Sequence, residues 1–352
     1  MGTLQELRLG TRGSQLALWQ AQTVAARLAQ AGSAPCRIVV IKTAGDRLAD
    51  QPLSDVGGKR LFVKELEEAL LRNEIDLAVH SSKDMPALLP DGLTIGGVLT
   101  REDPFDAVVL PVPTVRRKPD PAYSTSVASG LSRTVMTFDD LVAALGRSPS
   151  IGTGSVRRVA QLARVFPDAR FTPIRGNLDT RLRKLDAGEY DALILAAAGL
   201  RRLGFASRIS LALPVTACVP APGQGIVAIE IRESDAAVSD VVARIDDPAA
   251  AAALEAERAV VAALGGGCQT PIGALASPLD PKTLELVAAV VAIDGSRIVR
   301  ATARGARDQA AAIGTRVGAE LIAAGASEIL AEARSQQSTL ASRQSAAMTN
   351  DY

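Results

Sequence analysis

Scarcity narrows the field before any motif does. The chain of 352 residues contains one His and three Cys, and aromatic residues make up 3% of it. A single histidine excludes histidine-rich metal sites and any relay that passes protons between imidazoles. Cys36, Cys218 and Cys268 are odd in number and far apart, and no two have metal-ligand spacing. Neither a disulfide framework nor a metal site is therefore expected, and a reducing cytoplasm is. An excess of one charge is missing too: 39 Lys+Arg stand against 38 Asp+Glu, a net +1. That excludes coating nucleic acid by bulk charge. No apolar run approaches the roughly 20 residues of a spanning helix, and Met1 to Gly10 lacks the apolar core of a signal peptide. The expectation is a cytoplasmic protein with no nucleic-acid and no membrane partner. Lysine is the last scarcity, with 7 Lys beside 32 Arg.

What is present reads as globular. Hydrophobic residues are 47% and charged residues 22% of the chain, and the length suits two or three domains. Leu7 and Leu9 predict a strand, and Ser14 is a candidate cap for a helix ending near Gly32. Cys36–Lys42 predicts a strand, Leu61–Arg72 a helix, and Ile75–His80 a strand that empties into Ser81-Ser82-Lys83-Asp84-Met85-Pro86. A second cycle runs through strands at Ser150–Thr153, Ala169–Ile174 and Asp191–Ala197, with helices at Ser155–Val165 and Leu178–Ala187. Strand–helix–strand order implies largely parallel sheet, whose ligands sit beyond the carboxyl ends of strands. Pro111–Arg133, with four prolines, reads as a surface insertion. Pro220-Ala221-Pro222-Gly223-Gln224-Gly225 leads into a further strand, Ile226–Ile231. From Asp246 the chain is helical, then alternating, then helical to about Ala333, a smaller α+β unit, and Ser335–Tyr352 reads as a disordered tail.

Three constellations could carry chemistry. Between Arg157 and Arg208 there are 11 basic residues against 5 acidic ones. Several follow strands: Arg157-Arg158 after Gly152-Thr153-Gly154-Ser155, then Arg175, Arg181, and Arg201-Arg202. Arginines brought to one sheet edge would grip carboxylate or phosphate with planar paired donors; the bland alternative is a solvated basic face. At the end of the Ile75–His80 strand, Lys83 beside Asp84 suits acid–base work or stabilisation of positive charge, the alternative being a surface turn. His80 reads better as a hydrogen-bonded core residue than as a base. Finally, Glu257-Arg258 precede Gly265-Gly266-Gly267-Cys268. Three glycines clear the approach to that thiol, which suits attachment or transfer of a bulky group. A P-loop is excluded, because no glycine loop is followed by Gly-Lys-Ser/Thr.

Taken together, these strings resemble hydroxymethylbilane synthase, also called porphobilinogen deaminase, from about residue 6 to residue 334. The resemblance is carried by Thr11-Arg12-Gly13-Ser14-Gln15-Leu16-Ala17, Val56-Gly57-Gly58-Lys59, and Ala78-Val79-His80-Ser81-Ser82-Lys83-Asp84-Met85-Pro86. Gly152-Thr153-Gly154-Ser155-Val156-Arg157-Arg158, Arg175-Gly176-Asn177, Pro222-Gly223-Gln224-Gly225 and Gly266-Gly267-Cys268-Gln269 follow in the family's order.

The resemblance implies an α/β protein of three domains. Two would be lobes like those of periplasmic binding proteins, with mixed, mainly parallel sheets. They would span residues 1–104 plus 221–243 and residues 105–220, and the third, a small α+β domain, residues 244–334. It implies a monomeric transferase that joins four porphobilinogen molecules head to tail, releasing ammonia, onto a dipyrromethane held by Cys268 through a thioether. Hydrolysis then frees hydroxymethylbilane for tetrapyrrole synthesis. Lys83 and Asp84 match the family's catalytic pair, Asp84 stabilising the cation left by ammonia loss. Lys83, Asp84, Thr153, Ser155, Arg157, Arg158 and Arg175 match positions that hold the cofactor; Arg12, Ser14, Arg175, Arg181 and Arg202 match positions that hold substrate. Each pyrrole bears an acetate and a propionate, which explains the arginines. Gly154 departs from a common Ser and Asp55 from a common Lys, and Leu48–Leu61 is expected to form a mobile lid. Two competing expectations are a non-catalytic binder of a small dianion in the same cleft and RNA binding by residues 157–208; the latter lacks interleaved aromatics.

Overall fold

The computed structural model describes residues 5–44, 63–112, 136–266 and 270–336. Cys268, Asp55, the Leu48–Leu61 segment, most of Pro111–Arg133 and residues beyond 336 lie outside them.

Along the chain, β1 (Leu7–Thr11) precedes α1 (Gln15–Gln30). Ser14 caps that helix, its hydroxyl accepting the Ala17 N–H at 3.3 Å. Ala17, Gln20, Ala21, Val24 and Leu28 recur at helical spacing and form its buried stripe. β2 (Cys36–Val40), α2 (Lys64–Leu71), β3 (Leu77–Ser81) and β4 (Leu93–Val98) follow. The chain then crosses to β5 (Asp106–Val109), α3 (Phe138–Leu145), β6 (Ser150–Gly152), α4 (Val156–Leu162), β7 (Arg170–Thr172) and α5 (Leu178–Asp186). β8 (Ala192–Ala196), α6 (Ala197–Arg202) and the short β9 (Leu211–Ala212) complete that half. It returns through β10 (Val227–Arg232) and α7 (Ala236–Val242). α8 (Pro248–Ala263), β11 (Ile272–Pro278), β12 (Thr283–Val291), β13 (Ile298–Ala306) and α9 (Ala310–Ala323) form the last unit.

Two five-stranded sheets share one topology. The first has order β2-β1-β3-β10-β4 and the second β7-β6-β8-β5-β9. In each, four strands point the same way and the fourth in order is antiparallel to both its neighbours. That fourth strand is the one entered directly from the other half, so each crossover ends inside a sheet. Helices cover both faces, which is why the strands read as continuous apolar runs. In the first sheet Leu7, Leu9 and Leu77 pack against Ala21, Val24 and Leu28 of α1, while Leu66 and Leu70 of α2 close over Ala78. In the second, Leu193 and Leu195 meet Leu182 and Leu185 of α5, whereas Ile151 and Ile194 meet Leu141 and Leu162. The antiparallel β11-β12-β13 sheet packs Leu286, Ala288 and Val290 against α8 and α9. The fold is α/β, with two mixed sheets and a small C-terminal α+β unit.

The two crossing segments touch. Glu102 N–H donates to Gly225 O at 3.0 Å. Gly225 has φ +89°, and a Cβ on it would stand 2.2 Å from Glu102 O, so only glycine fits. This contact ties the two crossings together.

Candidate active site

Most of the sequence-selected side chains lie just past the carboxyl ends of parallel strands, as the topology requires. Arg12 follows β1 and Lys83 and Asp84 follow β3, in a single 3₁₀ turn, Ser82–Asp84. Thr153 and Ser155 follow β6, Arg175 follows β7, and Arg202 ends the short helix after β8. Arg12, Lys83, Asp84, Ser155, Arg175, Arg181 and Arg202 are partly exposed, Ser14 is exposed, and Thr153 is buried.

Asp84 and Arg181 come from different halves of the molecule and sense each other. Burial lowers the Arg181 pKa from its usual value, and repulsion from Arg158 and Arg175 lowers it further, while Asp84 acts in the opposite sense. Arg181 thus feels Asp84 from the first sheet's side and the cations Arg158 and Arg175 from its own. Arg181 Nε donates to Gly176 O at 2.9 Å, which orients the guanidinium. Arg175 has no carboxylate partner among the described residues.

Arg157 and Arg158 are placed differently from the open arginines: both are buried, and both engage Asp106. Arg157 Nη1 donates to Asp106 Oδ2 at 2.6 Å and to Val219 O at 2.8 Å. Arg158 Nε donates to Asp106 Oδ1 at 2.8 Å and its Nη1 to Ile194 O at 2.9 Å. Gln224 Nε2, from the second crossing segment, adds 3.0 Å to Asp106 Oδ1. Burial by itself would raise the Asp106 pKa, but the two guanidinium groups outweigh it and hold the carboxyl well below the usual range. One carboxylate meets two guanidiniums, so the cluster keeps a net positive charge, and Arg158 is its member that acts on Arg181. Cys218 points into the same cluster, and burial followed by the Asp106 charge pushes its thiol up to about 12.

Arg202 joins the second crossing to α1. Its Nη2 donates to Gly225 O at 2.6 Å, and its guanidinium lies 5.6 Å from the ring centre of Trp19 on α1. Burial lowers its pKa, with Glu102 partly opposing. Ser14 spends its hydroxyl on the α1 cap. Thr153 Oγ1 accepts the Ser155 N–H at 3.3 Å and sets the mouth of α4. At Gly154 a Cβ would meet nothing within 4 Å, so the departure from Ser removes a hydroxyl without a steric reason. His80 takes the core position: it is buried, and its Nε2 lies 3.0 Å from Glu230 Oε2.

Two groups had no role at the level of sequence. Asp106 carries no local signal, since its partners lie 51 and 52 residues away. In the sequence Glu257 is only half of a charged pair with Arg258. It is fully buried, and its carboxylate accepts Arg101 Nη1 at 2.6 Å, Gly223 N–H at 2.6 Å and Ala276 N–H at 2.7 Å.

A family profile described as "Porphobilinogen deaminase, dipyromethane cofactor binding domain" matches residues 7–240, and one described as "Porphobilinogen deaminase, C-terminal domain" matches residues 251–323. The chain belongs to the porphobilinogen deaminase family. It is 43% identical over 327 residues to the porphobilinogen deaminase of Syntrophobacter fumaroxidans, covering 93% of this chain and 97% of that one. Identity to the Geobacter metallireducens porphobilinogen deaminase is 44% over 330 residues, covering 93% and 95%. Among solved structures, immunogenic lipoprotein A from Vibrio vulnificus overlays at a TM-score of 0.39 with 12% identity, covering 71% of this chain and 99% of that one, too loosely to bear on fold or ligand. The chain is thus an enzyme whose substrate is porphobilinogen, polymerised in tetrapyrrole biosynthesis, and it carries the family's dipyrromethane-cofactor domain. The residues present fit that group: Arg158 and Arg175 each repel the partly buried Arg181, Arg175 has no carboxylate partner among the described residues, and a cofactor bearing acetates and propionates would relieve that repulsion.

Proposed function

We propose that the space between Asp84 and Arg181 is where porphobilinogen loses ammonia and the tetrapyrrole grows. The observation that supports this reading is that Asp84, in the turn after β3, acts on Arg181, on α5 after β7 of the other sheet, where Arg158 and Arg175 also act. Cys268 carries the dipyrromethane through a thioether. The bound dipyrromethane supplies the primer to which four porphobilinogen units are joined. Lys83, Asp84, Thr153, Ser155, Arg157, Arg158 and Arg175 hold it, Arg157 and Arg158 chiefly through the net charge left beside Asp106. Arg12, Ser14, Arg175, Arg181 and Arg202 receive the acetate and propionate groups of incoming substrate. Arg175 and Arg181 do so with planar two-pronged donors, which discriminate carboxylates by geometry as well as charge.

Asp84 is the catalytic residue. Departure of ammonia leaves a positive charge on the substrate, and an ionised carboxylate beside it lowers the barrier. That role calls for an ionised carboxylate, which positive neighbours such as Arg181 and Lys83 favour. Hydrolysis then releases hydroxymethylbilane. The same reading has the enzyme working in a reducing cytoplasm as a monomer, with no nucleic-acid or membrane partner. In support of it, the net charge is +1, and no helix among the described residues is long and apolar enough to cross a membrane.

Intact mass tests the attachment. The purified protein is expected to exceed its sequence mass by one dipyrrole, and Cys268→Ser to remove the excess together with activity. Fully active protein with unmodified Cys268 refutes the reading. Asp84→Ala is expected to fold yet lose most ammonia release per cofactor-loaded molecule.

A further inference from the structure

α8 carries Glu257 and Arg258 side by side, and the helical period turns them toward different neighbours. Ala253, Ala256 and Val260 face the core of the third sheet, and Glu257 bonds toward that side through Ala276 N–H. Ala250, Leu254 and Arg258, spaced four apart, lie on a face turned toward the first sheet. Ala250 and Leu254 pack with Met85, Val98, Ile226 and Ala228. One turn further along, Arg258 Nη1 donates to Pro86 O at 2.9 Å and Nη2 to Ala87 O at 2.7 Å. Those carbonyls belong to the segment that leaves the Ser82–Asp84 turn, so a side chain of the last unit grips the backbone immediately after Asp84.

The incoming side of the turn is fastened as well. Gln20 Nε2 donates to Ser81 Oγ at 2.8 Å, and Ser82 N–H donates to Ile226 O at 3.0 Å. Gly223, with φ +72°, lies so close that a Cβ would meet Ser82 Oγ at 2.5 Å, and its own N–H is held by Glu257. The turn thus has a strand and a helix on its entry side, and on its exit side Arg258, which places one donor on each of two successive carbonyls.

We propose that Arg258 is a positioning residue for ammonia release: by holding Pro86 O and Ala87 O it fixes where the Asp84 carboxylate stands relative to Arg181. This rests on the reading of Asp84 given above. A guanidinium can hold both carbonyls at once from a planar fork, whereas the ammonium of a lysine is a compact donor on a flexible stem and does not reproduce the fork. A displacement of about 1 Å in a reacting group lowers turnover by as much as about 100-fold, so loosening this grip is read in kcat.

Arg258→Ala, Arg258→Lys and Asp84→Ala are compared with the parent as full-length protein. Ammonia release is measured against porphobilinogen concentration, and rates are normalised to folded, cofactor-loaded enzyme by circular dichroism and intact mass. Arg258→Ala is expected to lose about tenfold or more in kcat with KM within about twofold, and Arg258→Lys to recover part of the loss. An arginine that serves stability alone lowers the folded fraction but leaves kcat per loaded molecule within about twofold of the parent; that result, or a rise in KM at unchanged kcat, overturns the proposal. If Arg258→Ala does not accumulate folded, Arg258→Lys decides: kcat lowered about threefold or more at constant KM supports the proposal, and parental kcat refutes it. Asp84→Ala with near-parental turnover would sink the catalytic reading and this proposal together. An inactive Asp84→Ala beside a parental Arg258→Ala removes only the positioning role.

Discussion

Glu257 and Arg101 form an ion pair at the point where all three sheets meet. Arg101 Nη1 lies 2.6 Å from Glu257 Oε1, and the carboxylate is fully buried. Arg101 leaves the first sheet at the first crossing, and its Nε donates to Gln224 O of the second crossing at 2.9 Å. The same carboxylate takes backbone N–H groups from Gly223 and from β11. One side chain of α8 therefore joins both crossings to the last unit.

Replacing Glu257 by Ala strands the Arg101 charge and two backbone donors in a buried site. A cost of about 3–5 kcal/mol is expected for breaking such a pair from one side. Urea denaturation followed by circular dichroism should show the midpoint falling sharply for Glu257→Ala and for Arg101→Ala. The double variant should cost clearly less than the sum of the two, because they remove one shared interaction. Strict additivity would contradict the pairing.

Asp106 predicts an acid dependence whose sign follows from its depressed pKa. A carboxyl held below its unfolded-chain value stabilises the fold fully above about pH 4, and that contribution drains away as pH falls toward the native-state value. Asp106→Asn should therefore destabilise the protein at neutral pH and flatten the loss of stability between about pH 5 and about pH 2. Denaturant midpoints for parent and variant across that range test it; parallel curves would place the acid sensitivity elsewhere.

Arg202 is expected to leave an optical mark. Trp19 is the only tryptophan in the chain, and the Arg202 guanidinium covers its ring. Arg202→Ala exposes the indole to water, so the emission of the substrate-free enzyme should shift to longer wavelength. Loss of the cation–π contact, worth about 0.5–2 kcal/mol, should also lower stability modestly. An arginine devoted to substrate alone would leave the Trp19 spectrum of the free enzyme untouched.

Much of this was legible in one dimension. Ser14 as a helix cap, β3 feeding the Lys83-Asp84 turn, and the strand–helix cycle from Ser150 follow from local spacing and capping, and the structure has them in those places. His80 was readable as a core residue, and it lies against Glu230. The arginines were legible as a group but not one by one. Nothing near Arg157 or Arg158 in the chain says that their guanidiniums close on Asp106, whereas Arg175 and Arg181, written in the same pattern, remain partly exposed.

The amino-acid order alone therefore determined the alternation of strands and helices and marked the strand ends past which Asp84 and the arginines stand, in a chain with a single histidine. Those properties depend on side chains a few residues apart, where periodicity and turn preference operate. Only the tertiary structure decided which arginines balance a buried carboxylate, how Glu257 joins the two crossings, and that Arg258 grips the exit of the Asp84 turn. Arg101 and Glu257 are 156 residues apart, and Arg258 and Pro86 are 172. Such pairs depend on desolvation and charge balance in the folded interior, which no local pattern encodes.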